Sequence, residues 1–247
     1  MVDIWRNRGH RVTICAGVDD LPPADVAFLH VNLSVVPAHY AEAVRRYPCV
    51  INGGALDIRK RVVSRNLLSA AAEWDGPVIL KTDLNFRGLP EYKAQLRARI
   101  KGKQVVDGPL PMSTYRIYPH FDAVPGEYRT AEGMVVERFL PERQGKDFVI
   151  RTWLFLGERE RCRRFWGSDP MVKAHSIRGM EPSEVPDFIR SERARLGVDY
   201  GKFDFVMHGG EPILLDANKT PGKPPASPNR DELYAHLADG LDAFLFR

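Results

Sequence analysis

The sequence predicts a mixed α/β fold of the α+β kind, and three observations carry that prediction. Before residue 54, apolar stretches of strand character alternate with helical ones, the mark of a parallel sheet with helices packed on it. After residue 134, strands follow strands across short turns, which implies an antiparallel sheet. Near the C-terminus, two runs rich in β-formers, FDFVM and ILLDAN, flank the turn-like HGGEP and read as a β-hairpin.

Taken in order, Val2 to Arg8 reads as the tail of a helix ending at Gly9. RVTICAG (11–17) is a strand, DDLPPAD (19–25) a loop and VAFLHVNLSV (26–35) a buried strand. Pro37 opens a helix over 38–47, and CVING (49–53) is a short strand. A unit of this kind opens with a strand before its first helix. That strand is missing, so residues 1–53 read as a shortened unit. Within 54–75, DIRKRVVSRNLLSAAAEW is a basic helix, because Ile58, Val62, Leu67 or Leu68, and Ala71 recur at helical spacing. PVILKTDL (77–84) is a strand, and 86–103 holds a glycine turn and a polar helix. Pro109, Pro111, Pro119 and Pro125 make 104–134 a region of short strands and long loops. MVVERFL (134–140), FVIRTWLFL (148–156) and RCRRFWG (161–167) are strands, the last two joined at Gly157-Glu158. Residues 166–179 read as a loop, 184–197 as a helix capped by Gly197, and 219–230 as a proline-rich loop. An amphipathic terminal helix follows over 230–246.

Composition narrows the function classes. An apolar share of 44% with 28% charged residues is that of an ordinary soluble globular protein. The net charge of +4 is mild and the basic residues adjoin acids, as in ERERCRR (158–164), so no nucleic-acid partner is expected. Cys15, Cys49 and Cys162 are odd in number and lack CxxC spacing, which argues against zinc and a disulfide framework. No apolar run reaches 18 residues and the first 30 residues lack a signal-peptide pattern. A cytoplasmic protein without a membrane partner is the expectation.

The hairpin carries the chemistry. If it is symmetric about Gly210, its loop is Gly209-Gly210-Glu211 and Asp204 lies opposite Asp216, with Cβ atoms about 5 Å apart. Asn218, two residues on, shares that face. Facing carboxylates repel, and a divalent cation is the natural compensation. Asp and Asn oxygens are hard ligands that suit magnesium.

In this order the pieces resemble the ATP-grasp family, and within it carboxylate–amine ligases such as glutathione synthetase and the ligases that modify a ribosomal protein. The resemblance covers nearly the whole chain and is strongest over 200–222. PVILKTDLNFRG and VVERFLPERQGKD are weaker matches that fall in the expected places. It implies an ATP-grasp fold with a shortened Rossmann-like unit (1–53), an N-terminal subdomain (54–133) and a C-terminal catalytic subdomain (134–247). Lys81 would meet the α- or β-phosphate of ATP, and Lys60 would be the first ATP-binding lysine, its register open by one against Arg59 and Arg61. The loop over Thr82–Gly88 would cover the phosphates, with Gly88 its single glycine and Asn85 and Arg87 in place of others. Glu137 would accept from the adenine amine while the backbone of Phe139 and Leu140 reads the ring edge. Asp147, or less directly Glu142, would hold the ribose. Arg151 would stabilise developing charge. One of Arg163 and Arg164 faces inward with it, and Arg164 is assigned. Lys173, with His175, would touch phosphate or substrate. Lys219 and Lys223 could attract an anionic substrate. Asp204, Asp216 and Asn218 would hold magnesium, with manganese as the alternative ion.

The implied activity is an ADP-forming C–N ligase that joins a small-molecule or peptide carboxylate to an amine through an acyl phosphate, in a homodimer like others of the family. A small-molecule kinase and a non-catalytic nucleotide-binding relative are the competing expectations. On this reading Asp216→Ala and Asn218→Ala abolish turnover and leave the fold intact.

Overall fold

A computed structural model describes residues 1–69, 73–103, 111, 114–222 and 229–245. The elements in chain order are α1 (Val2–Asn7), β1 (Val26–Phe28), α2 (Ala38–Val44), β2 (Cys49–Ile51), α3 (Lys60–Val63), β3 (Val78–Thr82), α4 (Leu89–Ile100), β4 (Arg116–Tyr118), α5 (Gly126–Arg129), β5 (Met134–Arg138), β6 (Glu142–Gln144), β7 (Asp147–Leu156), β8 (Arg159–Gly167), β9 (Ile177–Pro182), α6 (Asp187–Arg195), β10 (Tyr200–His208), β11 (Glu211–Asn218), α7 (Arg230–Ala238) and α8 (Asp242–Leu245). β1 and β2 pair in parallel. β4-β3-β5 form a small antiparallel sheet, and β11-β10-β7-β8-β9 a larger one, with β6 added to β7.

Strand alternation sorts each sheet into two faces. On the larger sheet Trp153, Phe155, Phe203, Phe205, Leu214 and Ala217 point one way and pack with Ile189 and Leu196 at α6 and with Ile58 and Val63 around α3. The opposite face carries a polar band of Lys202, Asp204, Thr152, Arg161 and Arg163, with Tyr200 and Leu156 at one end of it. On the small sheet Val78, Leu80 and Val136 enter a core with Val124. Ile79, Lys81 and Glu137 alternate with them and face the other way. A third cluster joins Trp5 and Ile51 to Tyr200, Leu156 and the terminal helices. Asn52, buried at φ 62, ties the same junction. Its Oδ1 accepts from Asp199 N and Tyr200 N, and its Nδ2 donates to Tyr200 O.

Several expectations need correction. Residues 11–17 form no strand: Thr13, Ile14 and Cys15 are exposed, and β-propensity without a partner ladder does not hold a strand. The strand expected over 26–35 ends at Phe28, although Leu29 N still donates to Ile51 O at 3.0 Å. Of the basic helix within 54–75 only Lys60–Val63 is helical. Ala70–Ala72 lie outside the described residues. The chain is extended after Ser64, and Leu68 N donates to Val136 O at 2.8 Å, so this stretch lines the small sheet instead. Its apolar residues serve two cores: Ile58 is buried in one with Val62 packed against it, and Leu68 packs against the other, while Leu67 is exposed. The loop expected over 166–179 is shortened at both ends by β8 and β9. The terminal helix breaks at Gly240, where a Cβ would come within 2.0 Å of Leu156 O.

The hairpin is present with an altered loop. His208 pairs with Glu211, leaving a two-residue loop of Gly209 and Gly210 at φ 60 and 88, the positive values that two-residue hairpin turns require. That turn alone would place Asp204 opposite Leu215. A register shift next to Asp204 adds one residue to β11, and Asp204 faces Asp216 after all.

Candidate active site

Backbone pairing places Asp216, Asp204, Thr152, Arg163 and Pro182 in one row across β11, β10, β7, β8 and β9. Paired residues share a face, so these side chains stand together on the polar side. The neighbouring row holds Asn218, Lys202, Leu154 and Arg161. Lys60 at α3, beside the edge strand β11, donates a short hydrogen bond to Asp216 Oδ1. Its side chain is only 2% exposed. Burial pulls its pKa down, yet the charge and hydrogen bond of Asp216 together with the charges of Tyr115 and Glu137 outweigh this and the pKa is raised. Lys202 Nζ lies 2.7 Å from Asp204 Oδ2, and Thr152 Oγ1 donates to Asp204 Oδ1 at 2.8 Å.

The facing carboxylates are therefore compensated by two ammonium groups and a hydroxyl of this chain. Sequence reasoning placed the acidic pair but missed Lys202 and the partner of Lys60. Alternation alone put Lys202, two residues before Asp204, on the same face, and that signal was there to use.

The small sheet supplies a second polar group. Lys81 Nζ donates to Glu137 Oε2 at 2.7 Å, with side chains 7% and 3% exposed. Glu137 Oε1 is buried and has no hydrogen-bond partner among the described residues. Tyr115 adjoins both lysines: Lys81 lies 6.0 Å from its ring centroid, and the charge of Lys60 partly offsets the upward shift that burial imposes on the phenol. Tyr115 falls in the stretch that the prolines made illegible. A run of charged groups thus extends from Glu137 and Lys81, past Tyr115, to Lys60, Asp216, Lys202 and Asp204.

Other expected residues lie elsewhere. Phe205, Arg151, Arg164 and Glu181 form the next row, whose side chains point to the opposite face. Arg151 pairs with Glu142, which also accepts from Met207 N at 2.7 Å, and Arg164 Nη1 pairs with Glu181 at 2.6 Å. Arg151 and Arg164, expected to stabilise developing charge, thus stand on the face opposite the acidic pair; of the neighbouring arginines Arg163 shares the row, and it forms no ion pair among the described residues. Asp147 pairs with Arg178 at 2.8 Å. Lys173 and His175 are exposed between β8 and β9, and His175 Nε2 lies 4.0 Å from Asp169. Phe139 N donates to Pro77 O at 2.9 Å, so the carbonyl of Phe139 and the backbone of Leu140 are what this segment offers a ligand. Lys223 lies outside the described residues.

The loop after β3 runs through three successive left-handed residues, Phe86, Arg87 and Gly88, at φ 47, 61 and 77. Asn85 holds it, donating N–H to Ser34 Oγ at 2.7 Å and accepting from Phe86 N at 2.8 Å. It is a braced turn, in keeping with the single glycine of this loop.

The donor set of Asp204, Asp216 and Asn218 consists of hard oxygens, which fit magnesium once Lys60 gives way. Asn218 Oδ1 now accepts from Thr220 N at 2.9 Å. Among the described residues no group of three or more His, Cys, Asp or Glu side chains is placed to hold a metal. A cavity of about 340 Å³ lies at Trp153, Arg190, Arg193 and Gly197, on the apolar side of the sheet and away from the acidic row.

Lys219, next to Asn218, is buried and donates to Ala55 O at 3.0 Å. Burial holds its pKa down to about 8 against the pull of Asp57 and Glu91. The unfolded lysine keeps its proton to about pH 10.4, so between these values the unfolded chain binds more protons and stability rises with pH. Cys162, pushed up to about 11 by burial, works the other way. The stability difference between wild type and Lys219→Met should therefore shift in favour of wild type from pH 8 to 10, read by urea melts at stepped pH. A difference that stays flat would remove the depressed lysine.

No protein-family model and no curated protein matches the chain. Its structure is similar to that of a RimK domain protein ATP-grasp from Sphaerobacter thermophilus, over 100% of this chain and 93% of that one, with a TM-score of 0.50 and 15% identity. D-alanine--D-alanine ligase from Bacillus anthracis overlaps 90% of this chain and 79% of its own at a TM-score of 0.46 and 15% identity. A Chryseobacterium gregarium RiPP-associated ATP-grasp ligase, in complex with ADP and a leader and core peptide, overlaps 66% and 48% at 0.39 and 12%.

Proposed function

On the premise of an ATP-grasp fold, we propose that the protein is an ATP- and magnesium-dependent ligase that joins a carboxylic acid to an amine, forming ADP and phosphate. The supporting observation is the pair of buried lysines, Lys60 and Lys81, standing between Glu137 on one sheet and the carboxylates of the other. Buried charge costs stability that well-packed apolar residues would not, and such groups cluster where a protein binds or transforms charge.

In this reading residues 1–53, 54–133 and 134–247 keep the division drawn from the sequence. Glu137 Oε1 accepts from the adenine amine, and the Phe139 carbonyl and Leu140 backbone read the ring edge. Asp147 exchanges Arg178 for the ribose hydroxyls. Lys60 and Lys81 hold phosphate oxygens as compact point charges, and the braced turn ending in Gly88 covers them. Asp204, Asp216 and Asn218 would hold magnesium, which supplies charge neutralisation at the triphosphate. Arg163 stands where it can stabilise charge developing on the transferred phosphoryl group. Lys173 meets the acid or the phosphate from the loop between β8 and β9. The acid carboxylate attacks the γ-phosphorus, giving an acyl phosphate and ADP. The amine then displaces phosphate. The work of the chain is positioning and charge stabilisation.

The test is calorimetry with ATP and magnesium, followed by ADP release with paired acids and amines. Tight uptake is expected, with at most one ADP per chain from the acid alone and sustained ADP release only with both substrates. ADP formed with a hydroxyl compound alone would make it a kinase, and no uptake at all would end the reading. The braced, glycine-poor turn favours a second reading, a nucleotide-binding relative without turnover. That reading requires uptake with no ADP release under any pairing.

A further inference from the structure

Lys202 is a cation built into the acidic pair, and it differs from Lys60 in how it is tethered. Lys60 reaches Asp216 from α3, a separate element. Moving its ammonium to a phosphate needs only a change in that side chain or that turn. Lys202 lies on the same strand and face as Asp204, two residues away, or roughly 7 Å along the strand. Its ammonium stays within reach of that carboxylate whatever binds above.

Both oxygens of Asp204 are engaged from within the sheet, Oδ1 by Thr152 and Oδ2 by Lys202. Its side chain is 14% exposed. Asp216 is engaged by Lys60, and it is the more open of the two carboxylates. In two-metal phosphoryl-transfer sites the ions sit about 4 Å apart, and each draws on carboxylate oxygens. Here one carboxylate already has its counter-ion.

We propose that Lys202 takes the place of a second divalent ion, so that the nucleotide site binds one divalent ion per triphosphate, the ion assigned above to Asp204, Asp216 and Asn218. The inference rests on the nucleotide reading above. An ammonium is a compact charge that can neutralise Asp204 and a phosphate oxygen together. A site so equipped needs less free divalent cation to fill than one that must collect two ions.

Manganese serves as the probe, counted by electron paramagnetic resonance at saturating β,γ-imido ATP. Wild type is expected to hold one ion per chain. Lys202→Met should hold two, and Lys202→Arg, which keeps the charge, should hold one. Lys202→Gln, which keeps a donor toward Asp204, should also hold two and serves if the Met variant does not fold. Two ions in wild type would overturn the inference and leave the nucleotide reading standing. So would a single ion in a neutral variant that still binds the analogue. No uptake of the analogue by wild type at any manganese concentration would overturn the nucleotide reading, and this inference with it.

Discussion

Asp216→Ala is expected to cost about 3 kcal/mol of folding stability and to abolish nucleotide turnover. The reason for the first effect is Lys60. Its ammonium is almost wholly enclosed and is held charged by Asp216. Removing the carboxylate leaves a cation in the interior without its partner. The cost falls at the lower end of the range for a broken buried pair because the Asp216 side chain is itself 31% exposed. Lys60→Met added to Asp216→Ala should recover most of that loss, since a neutral pair of similar volume is tolerated far better than an orphaned charge. Asn218→Ala, which removes the bonds from Thr220 N and Thr220 Oγ1, should cost about 1 kcal/mol. Urea unfolding of the four proteins in the Lys60–Asp216 cycle measures the coupling. A double variant no more stable than Asp216→Ala would mean that the ion pair is not what the substitution breaks. This replaces the expectation from sequence that Asp216→Ala leaves the fold intact, which treated the acidic pair as self-repelling.

The strands were legible where alternation and a turn signal coincided, as in β7, β8 and the β10–β11 hairpin. They were overcalled where β-propensity stood without a neighbour, as at residues 11–17. The helix expected within 54–75 shows the other failure. Its apolar spacing was helical, but two different cores claimed its residues, and no local pattern records which core a residue will join. At the site, Asp204 opposite Asp216 came out as expected through two errors that cancel. The loop is one residue shorter than assumed, and β11 carries one extra residue. Lys202 could have been placed beside Asp204 by alternation, whereas the partner of Lys60 was out of reach for a different reason. Lys60 and Asp216 are 156 positions apart, and nothing in either segment names the other.

Arg163→Ala is expected to lower turnover by about 10²–10³-fold, the loss seen when one preorganised charge-stabilising donor is removed. Arg151→Ala and Arg164→Ala should keep turnover in the folded fraction. The contrast follows from sheet parity. Arg163 is paired with Thr152, Thr152 with Asp204 and Asp204 with Asp216, so all four present one face. Arg151 and Arg164 are paired with each other in the adjacent row and present the other face. There Arg151 neutralises Glu142, and both side chains are largely buried. Arg151→Ala should therefore cost about 3 kcal/mol of stability. Arg164→Ala should cost less, because Glu142 keeps Arg151 and the partner lost is the more exposed Glu181. The readout available before the substrates are known is the preference for ATP over ADP, by calorimetry. A guanidinium that meets the terminal phosphate contributes to ATP binding and not to ADP binding, so Arg163→Ala should narrow that preference and leave the ADP affinity unchanged. Arg151→Ala should leave both affinities where they are while lowering the urea midpoint. The reverse pattern, with the ATP preference lost in Arg151→Ala and kept in Arg163→Ala, would mean that the nucleotide binds on the opposite face of the sheet, and the acidic row would no longer be the place where its phosphates sit.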